Sequence, residues 1–141
     1  MTTNVTWYHL VNMSNGYCMN IPGGSTARGA AVTQWPCGAW ADHDWSTESL
    51  GNGYFWIRNR NSYLCISNAA NDAAGAPLSQ QPCKNVRPLW WKAVDHNGSF
   101  EIVNSNGMCI GVPGASGDPG VQLIQWPCGG WLDHRWFSEV S

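Results

Sequence analysis

The sequence predicts an all-β domain made of three repeats of about 45 residues arranged around a pseudo-threefold axis. Three observations predict it. Glycine and proline (16 and 8 residues) interrupt the 141-residue chain too often for long helices. Six cysteines recur with one period: Cys18, Cys65 and Cys109 are spaced by 47 and 44 positions, and Cys37, Cys83 and Cys128 by 46 and 45. Other residue types keep fixed offsets from those cysteines in every repeat.

The elements follow in the same order each time. Trp7–Val11, Phe55–Ile57 and Phe100–Val103 are β-prone runs that open each unit. Turns rich in Asn, Ser and Gly follow, such as Ser14-Asn15-Gly16 and Ser105-Asn106-Gly107, and Asn-Gly is a strong hairpin signal because both residues tolerate positive φ. A second run precedes the later cysteine: Ala31–Trp35, Pro77–Gln81 and Val121–Trp126. Within these runs Gly29, Gly75 and Gly120 correspond, as do Val32, Leu78 and Leu123, and Gln34, Gln80 and Gln125. Pro36, Pro82 and Pro127 precede the second cysteines, and Trp45, Trp91 and Trp136 lie eight positions after them. About four short strands per unit give roughly twelve in all. The repeats occupy approximately 1–46 (α), 47–92 (β) and 93–141 (γ) of one domain spanning 1–141. A propeller seldom has so few blades, and a solenoid has a shorter period, so closed threefold symmetry favours a β-trefoil.

The cysteine count is even, and six cysteines allow 15 connectivities. Only Cys18–Cys37, Cys65–Cys83 and Cys109–Cys128 gives every repeat its own equivalent bridge, each contributing roughly 3 kcal/mol. Three disulfides imply an oxidising, extracellular or secreted setting, although the chain opens without a signal-peptide pattern and so reads as a mature or excised form.

Composition narrows the function. Charged residues make up 11% of the chain and the net charge is −2. Seven Lys and Arg, scattered along the sequence, argue against nucleic acid as a partner. The lack of an apolar run of roughly 18 residues argues against membrane insertion. Ten tryptophans exceed what a core of this size needs.

The repeated patterns resemble the ricin B-type (R-type) lectins, also grouped as carbohydrate-binding module family 13. The resemblance rests on Asn15-Gly16-Tyr17-Cys18-Met19-Asn20-Ile21, Gly29-Ala30-Ala31-Val32-Thr33-Gln34-Trp35-Pro36-Cys37 and Asp42-His43-Asp44-Trp45, and extends over three copies. It implies a β-trefoil with shallow sugar sites. In that family an Asp two positions after the first cysteine binds sugar hydroxyls. An aromatic two positions before the second cysteine floors the site, and a polar pair before the last Trp closes it. Carried over, the floors are Trp35 (α) and Trp126 (γ), and the polar pairs are Asp42-His43 and Asp133-His134. The family's Asp is replaced by Asn20, Ser67 and Gly111, and Gln81 stands at the β floor, which leaves β vacant as a site of this type.

Comparison within the chain sharpens this. WPCGAWADHDW (Trp35–Trp45) and WPCGGWLDHRW (Trp126–Trp136) agree at eight of eleven positions, whereas the β counterpart QPCKNVRPLWW keeps only Pro-Cys and the last Trp. Core demands act on all three repeats, so features shared by two alone point to binding. An indole buries the C–H face of a pyranose, and Asp42 and Asp133 accept from its hydroxyls. His43 and His134 donate and accept, Gly38 and Gly129 leave room for close backbone approach, and Trp40 and Trp131 form a second wall.

The expectation is a non-catalytic lectin binding terminal sugars of glycans or glycoconjugates: galactose or GalNAc, or a deoxy sugar such as L-rhamnose. The candidate sugar-binding residues are Asn20, Trp35, Trp40, Asp42, His43, Gly111, Trp126, Trp131, Asp133 and His134. No cofactor and no metal are expected. The alternatives are a polysaccharide-targeting module of a glycoside hydrolase and a protein-binding trefoil such as a protease inhibitor.

Overall fold

The computed structural model describes residues 5–141; the first four residues of repeat α lie outside the described residues. The described residues form twelve strands and five short 3-10 turns. Repeat α contributes β1 (Tyr8–Asn12), β2 (Cys18–Asn20), β3 (Thr33–Trp35) and β4 (Trp45–Ser49). Repeat β contributes β5 (Phe55–Asn59), β6 (Cys65–Ser67), β7 (Ser79–Gln81) and β8 (Trp91–Asp95). Repeat γ contributes β9 (Phe100–Asn104), β10 (Met108–Gly111), β11 (Ile124–Pro127) and β12 (Trp136–Val140).

The first and last strands of each repeat close a six-stranded barrel. Long antiparallel ladders join β4 to β5, β8 to β9 and β12 to β1, while single pairings join β1 to β4, β5 to β8 and β9 to β12. The inner hairpins β2–β3, β6–β7 and β10–β11 form the cap. This is the β-trefoil, with the three disulfides paired within repeats at separations of 19, 18 and 19 residues.

The core is threefold in kind. Leu10, Ile57 and Ile102, then Val32, Leu78 and Leu123, then Met19, Ile66 and Ile110, form buried sets with Trp45, Trp91 and Trp136. Each core tryptophan also satisfies its buried N–H, donating to the carbonyls of Met19, Ile66 and Ile110 at 3.0, 2.9 and 3.1 Å.

The repeats are tied in a ring. Val32 N–H donates to Leu78 O, Leu78 N–H to Leu123 O, and Leu123 N–H to Val32 O, at 3.0, 3.0 and 2.9 Å. The corresponding glutamines extend this ring outward. Gln34 Nε2 donates to Ser116 O and Asp118 O, Gln80 Nε2 to Ser25 O and Ala27 O, and Gln125 Nε2 to Asn71 O and Ala73 O. Gly29, Gly75 and Gly120 complete each contact by donating to the carbonyls of Gln80, Gln125 and Gln34. Their φ values of +84°, +85° and +84° explain why glycine recurs there. The expected second runs are accordingly shorter as strands. Ala31 and Val32 bond to repeat β, ahead of the ladder that begins at Thr33.

Candidate functional site

Two surface clefts, of about 700 and 480 Å³, lie in repeats α and γ. Each is built from three local pieces. The first is the outer end of the second cap strand, which presents Trp35 in α and Trp126 in γ. These rings are 43% and 42% exposed, too open for core residues. The second is a 3-10 turn, Ala41–His43 or Leu132–His134, preceded by Trp40 or Trp131. The third is the Pro-Gly turn Pro22–Gly24 or Pro113–Ala115, which also lines the cleft.

Trp40 and Trp131 are 58% and 54% exposed, yet they are firmly seated. A Cβ at Gly38 would fall 2.0 Å from the Trp40 ring, and one at Gly129 2.0 Å from the Trp131 ring. The close approach expected at these glycines is therefore made by the chain's own tryptophans. Repeat β has Lys84 and Val86 at the two positions, and so lacks both the ring and the space for it. Gly38→Ala is expected to displace Trp40 and weaken binding in α alone by roughly tenfold, since placement errors of about 1 Å are costly in a preformed site. Titration of the variant, with Trp126 signals as the internal reference, checks this.

Each of these rings packs on a histidine, Trp40 on His43 and Trp131 on His134, with centroids 5.2 and 5.3 Å apart. The histidines line the clefts but are only 2% and 3% exposed, so they support the walls more than they face solvent. His43 Nδ1 accepts from Gly38 N–H at 3.3 Å, which leaves Nε2 to carry the proton, 3.7 Å from Asp42 Oδ2. His134 Nε2 lies 3.6 Å from Asp133 Oδ2.

Burial pushes both imidazoles below their ordinary value of 6.5, against the opposing pull of Asp42 on His43 and of Asp133 on His134. The folded state thus resists protonation more than the unfolded chain does. The stability this provides is complete above pH 6.5 and is lost as pH falls from there toward the lower folded values. Thermal midpoint and sugar affinity are expected to decline together below about pH 6.5 and to stay level above it. Parallel melting and binding curves from pH 5 to 8 check this, and flat curves contradict it.

The carboxylates have two tasks. Asp42 Oδ2 accepts from Ile21 N–H at 3.3 Å, and Asp133 Oδ2 from Val112 N–H at 3.1 Å, fixing each turn to its Pro-Gly neighbour. Neighbouring repeats fix the turns as well, because Asn59 Nδ2 donates to Asp42 O and Asn12 Nδ2 to Asp133 O, both at 2.9 Å. Asp44 is set apart from the α cleft, with Oδ2 bound to Arg60 at 3.1 Å and Oδ1 lying 3.3 Å from His9. Each cleft is thus lined by a single carboxylate, Asp42 or Asp133.

Asn20 lines the α cleft, whereas Gly111 lies beneath His134, whose ring is 2.6 Å from where a Cβ would be. Pro88-Leu89 occupies the β position of the polar pair, within the turn Arg87–Leu89. The groups His9, Cys18, Cys37 and Glu101, Cys109, Cys128 come together, but their sulfurs are locked in disulfides and do not form metal sites.

Sequence reasoning missed Thr33, Asn61 and the Pro-Gly turns. A signal for the turns was present: Ile21-Pro22-Gly23 and Val112-Pro113-Gly114 correspond, and β has Asn68-Ala69-Ala70 instead. Asn61 comes from another repeat and carried no such signal.

A family model described as ricin-type beta-trefoil lectin domain-like matches residues 2–81. A search of curated protein sequences gives no match. Among solved structures, the chain is similar to the designed threefold-symmetric protein ThreeFoil, at 25% identity and TM-score 0.91 over 96% of this chain and 98% of that one. It is similar to an exo-beta-1,3-galactanase from Clostridium thermocellum, at 24% identity and TM-score 0.94, covering 100% of this chain and 31% of that one. It also resembles the Macrolepiota procera ricin B-like lectin in complex with lactose, at 15% identity and TM-score 0.85, covering 100% and 99%.

Proposed function

The chain belongs to the ricin-type β-trefoil lectin family, and from that premise we propose that it is a non-catalytic, divalent lectin whose clefts in repeats α and γ bind the terminal sugars of glycans. The observation that carries the reading is the pair of half-exposed tryptophans in each cleft, set beside one carboxylate. An indole offers the flat apolar surface that a pyranose C–H face needs, and the carboxylate takes hydroxyl hydrogens. A glycosidase uses two carboxylates across the bond it breaks, and each cleft is lined by one. Repeat β, with Gln81 and Val86 in place of the rings, is left out of the proposed binding.

The sugar proposed is galactose or GalNAc, or a deoxy sugar such as L-rhamnose. Structural neighbours bind lactose and GalNAc. Two weak sites on one rigid body raise avidity on a glycan surface by roughly 10²–10⁴. The disulfides suit an extracellular setting. A glycan array paired with haemagglutination tests the reading: binding to a set of related terminal sugars is expected, and silence in both assays overturns it.

A second reading has one observation in its favour. The chain spans under a third of the galactanase it resembles, 31%. In that reading the domain delivers an attached hydrolase to its polysaccharide. Binding to internal polysaccharide units in preference to terminal sugars favours it.

A further inference from the structure

The two clefts share their walls but differ at the base. Resting on the lectin reading above, we propose that they select different sugars: α takes a ring whose buried edge carries hydroxyls, and γ takes one that presents a methyl group there.

The base of α is polar. Thr33 Oγ1 donates to Asn20 Oδ1 at 2.6 Å, which orients both groups. The threonine oxygen keeps lone pairs for a sugar hydroxyl, and the Asn20 amide keeps N–H donors. Asn61 lines the cleft from repeat β, held by a 2.7 Å bond from its Nδ2 to Gly24 O. With the Asp42 carboxylate, α offers acceptors and donors together. Sugar hydroxyls need both, because each gives one hydrogen and accepts others.

The base of γ keeps Asp133 and His134 but has no counterpart of the Thr33–Asn20 pair. Ile124 occupies the position of Thr33 and lines the cleft, and Gly111 occupies that of Asn20. The space that any side chain on Gly111 would need is taken by His134 Cδ2 and Nε2, 2.6 and 2.8 Å from the added Cβ. Threonine and isoleucine are both β-branched and suit the same strand position, so the strand itself does not demand the exchange. A hydroxyl pressed against Ile124 gives up its water without replacement. A methyl group there removes apolar surface from water on both sides. Such a methyl can come from a 6-deoxy sugar or from an N-acetyl group.

Single-cleft variants test this, Trp126→Ala leaving α and Trp35→Ala leaving γ. Each is titrated by calorimetry with matched methyl glycosides: D-galactoside against D-fucoside, L-mannoside against L-rhamnoside, and galactoside against N-acetylgalactosaminide. The α-only protein is expected to prefer the hydroxylated member of the better-bound pair by about tenfold, and the γ-only protein to reverse that order. Reversal in the first two pairs assigns the methyl to a deoxy carbon, and in the third alone to an acetyl group. Ile124→Thr in the γ-only protein should shift the order toward that of α, with an unchanged thermal midpoint. The same order of preference in both single-cleft proteins overturns the proposal while the lectin reading stands. Failure of the unmutated protein to bind any glycan overturns both.

Discussion

A protein carrying Trp35→Ala and Trp126→Ala together is expected to lose measurable glycan binding while its thermal midpoint moves by no more than about 4 °C. The two rings are 43% and 42% exposed and rest on the surface of the cap. Their removal opens no core cavity, and substitutions of that kind usually change stability by less than about 0.5 kcal/mol. Binding is different. A pyranose face stacked on an indole buries roughly 100 Å² of apolar surface, worth about 2.5 kcal/mol or some sixtyfold in affinity per cleft. A shallow site has little else to fall back on. Titration calorimetry and thermal melting on the same sample separate the two effects. Retained affinity in the double variant contradicts the site assignment, and a collapsed melting transition moves these tryptophans into the core.

The largest stability effect away from the core is expected at Gln80. Its side chain donates to two carbonyls of repeat α, at 3.0 and 2.9 Å, and accepts from Ser62 Oγ at 2.8 Å. Gln80 is fully buried. Gln80→Ala strands those partners, at a cost of about 3 kcal/mol, or a fall of roughly 10 °C in the midpoint. Gln81, the next residue, is partly exposed and bonds only to Ser79 Oγ, at 3.3 Å. Gln81→Ala is therefore expected to be nearly neutral. Equal melting temperatures for the two variants contradict the role given to the glutamine ring.

Much of this architecture was legible in the chain because it repeats. Period and offset alone paired the six cysteines and sorted Trp45, Trp91 and Trp136 from the other tryptophans. The glutamines were visible as a repeated position, but their function was not, because each acts on a loop 52 to 84 residues away. Cross-repeat contacts of this kind leave no local pattern. Asn61 was hidden for the same reason. The role of Gly38 was misread in part: a missing side chain shows that something comes close, and here the neighbour is Trp40 of the same loop. Direct comparison of α with γ over Trp35–Trp45 and Trp126–Trp136 exposed the shared walls, while the differing pair Thr33 and Ile124 lies just ahead of those segments, outside the stretch compared.

The dependence of each cleft on foreign repeats has a consequence for how the molecule responds to its ligand. The Trp35 ring is 3.8 Å from where a side chain on Gly120 would begin, and Asp42 is held through its carbonyl by Asn59. A sugar lodged in α therefore touches a junction of three repeats, and its binding free energy is drawn upon whenever that junction opens. Saturating glycan should slow amide exchange in repeat β as well as beside the occupied clefts. The repeat without a cleft of its own would then report occupancy of its neighbours' clefts.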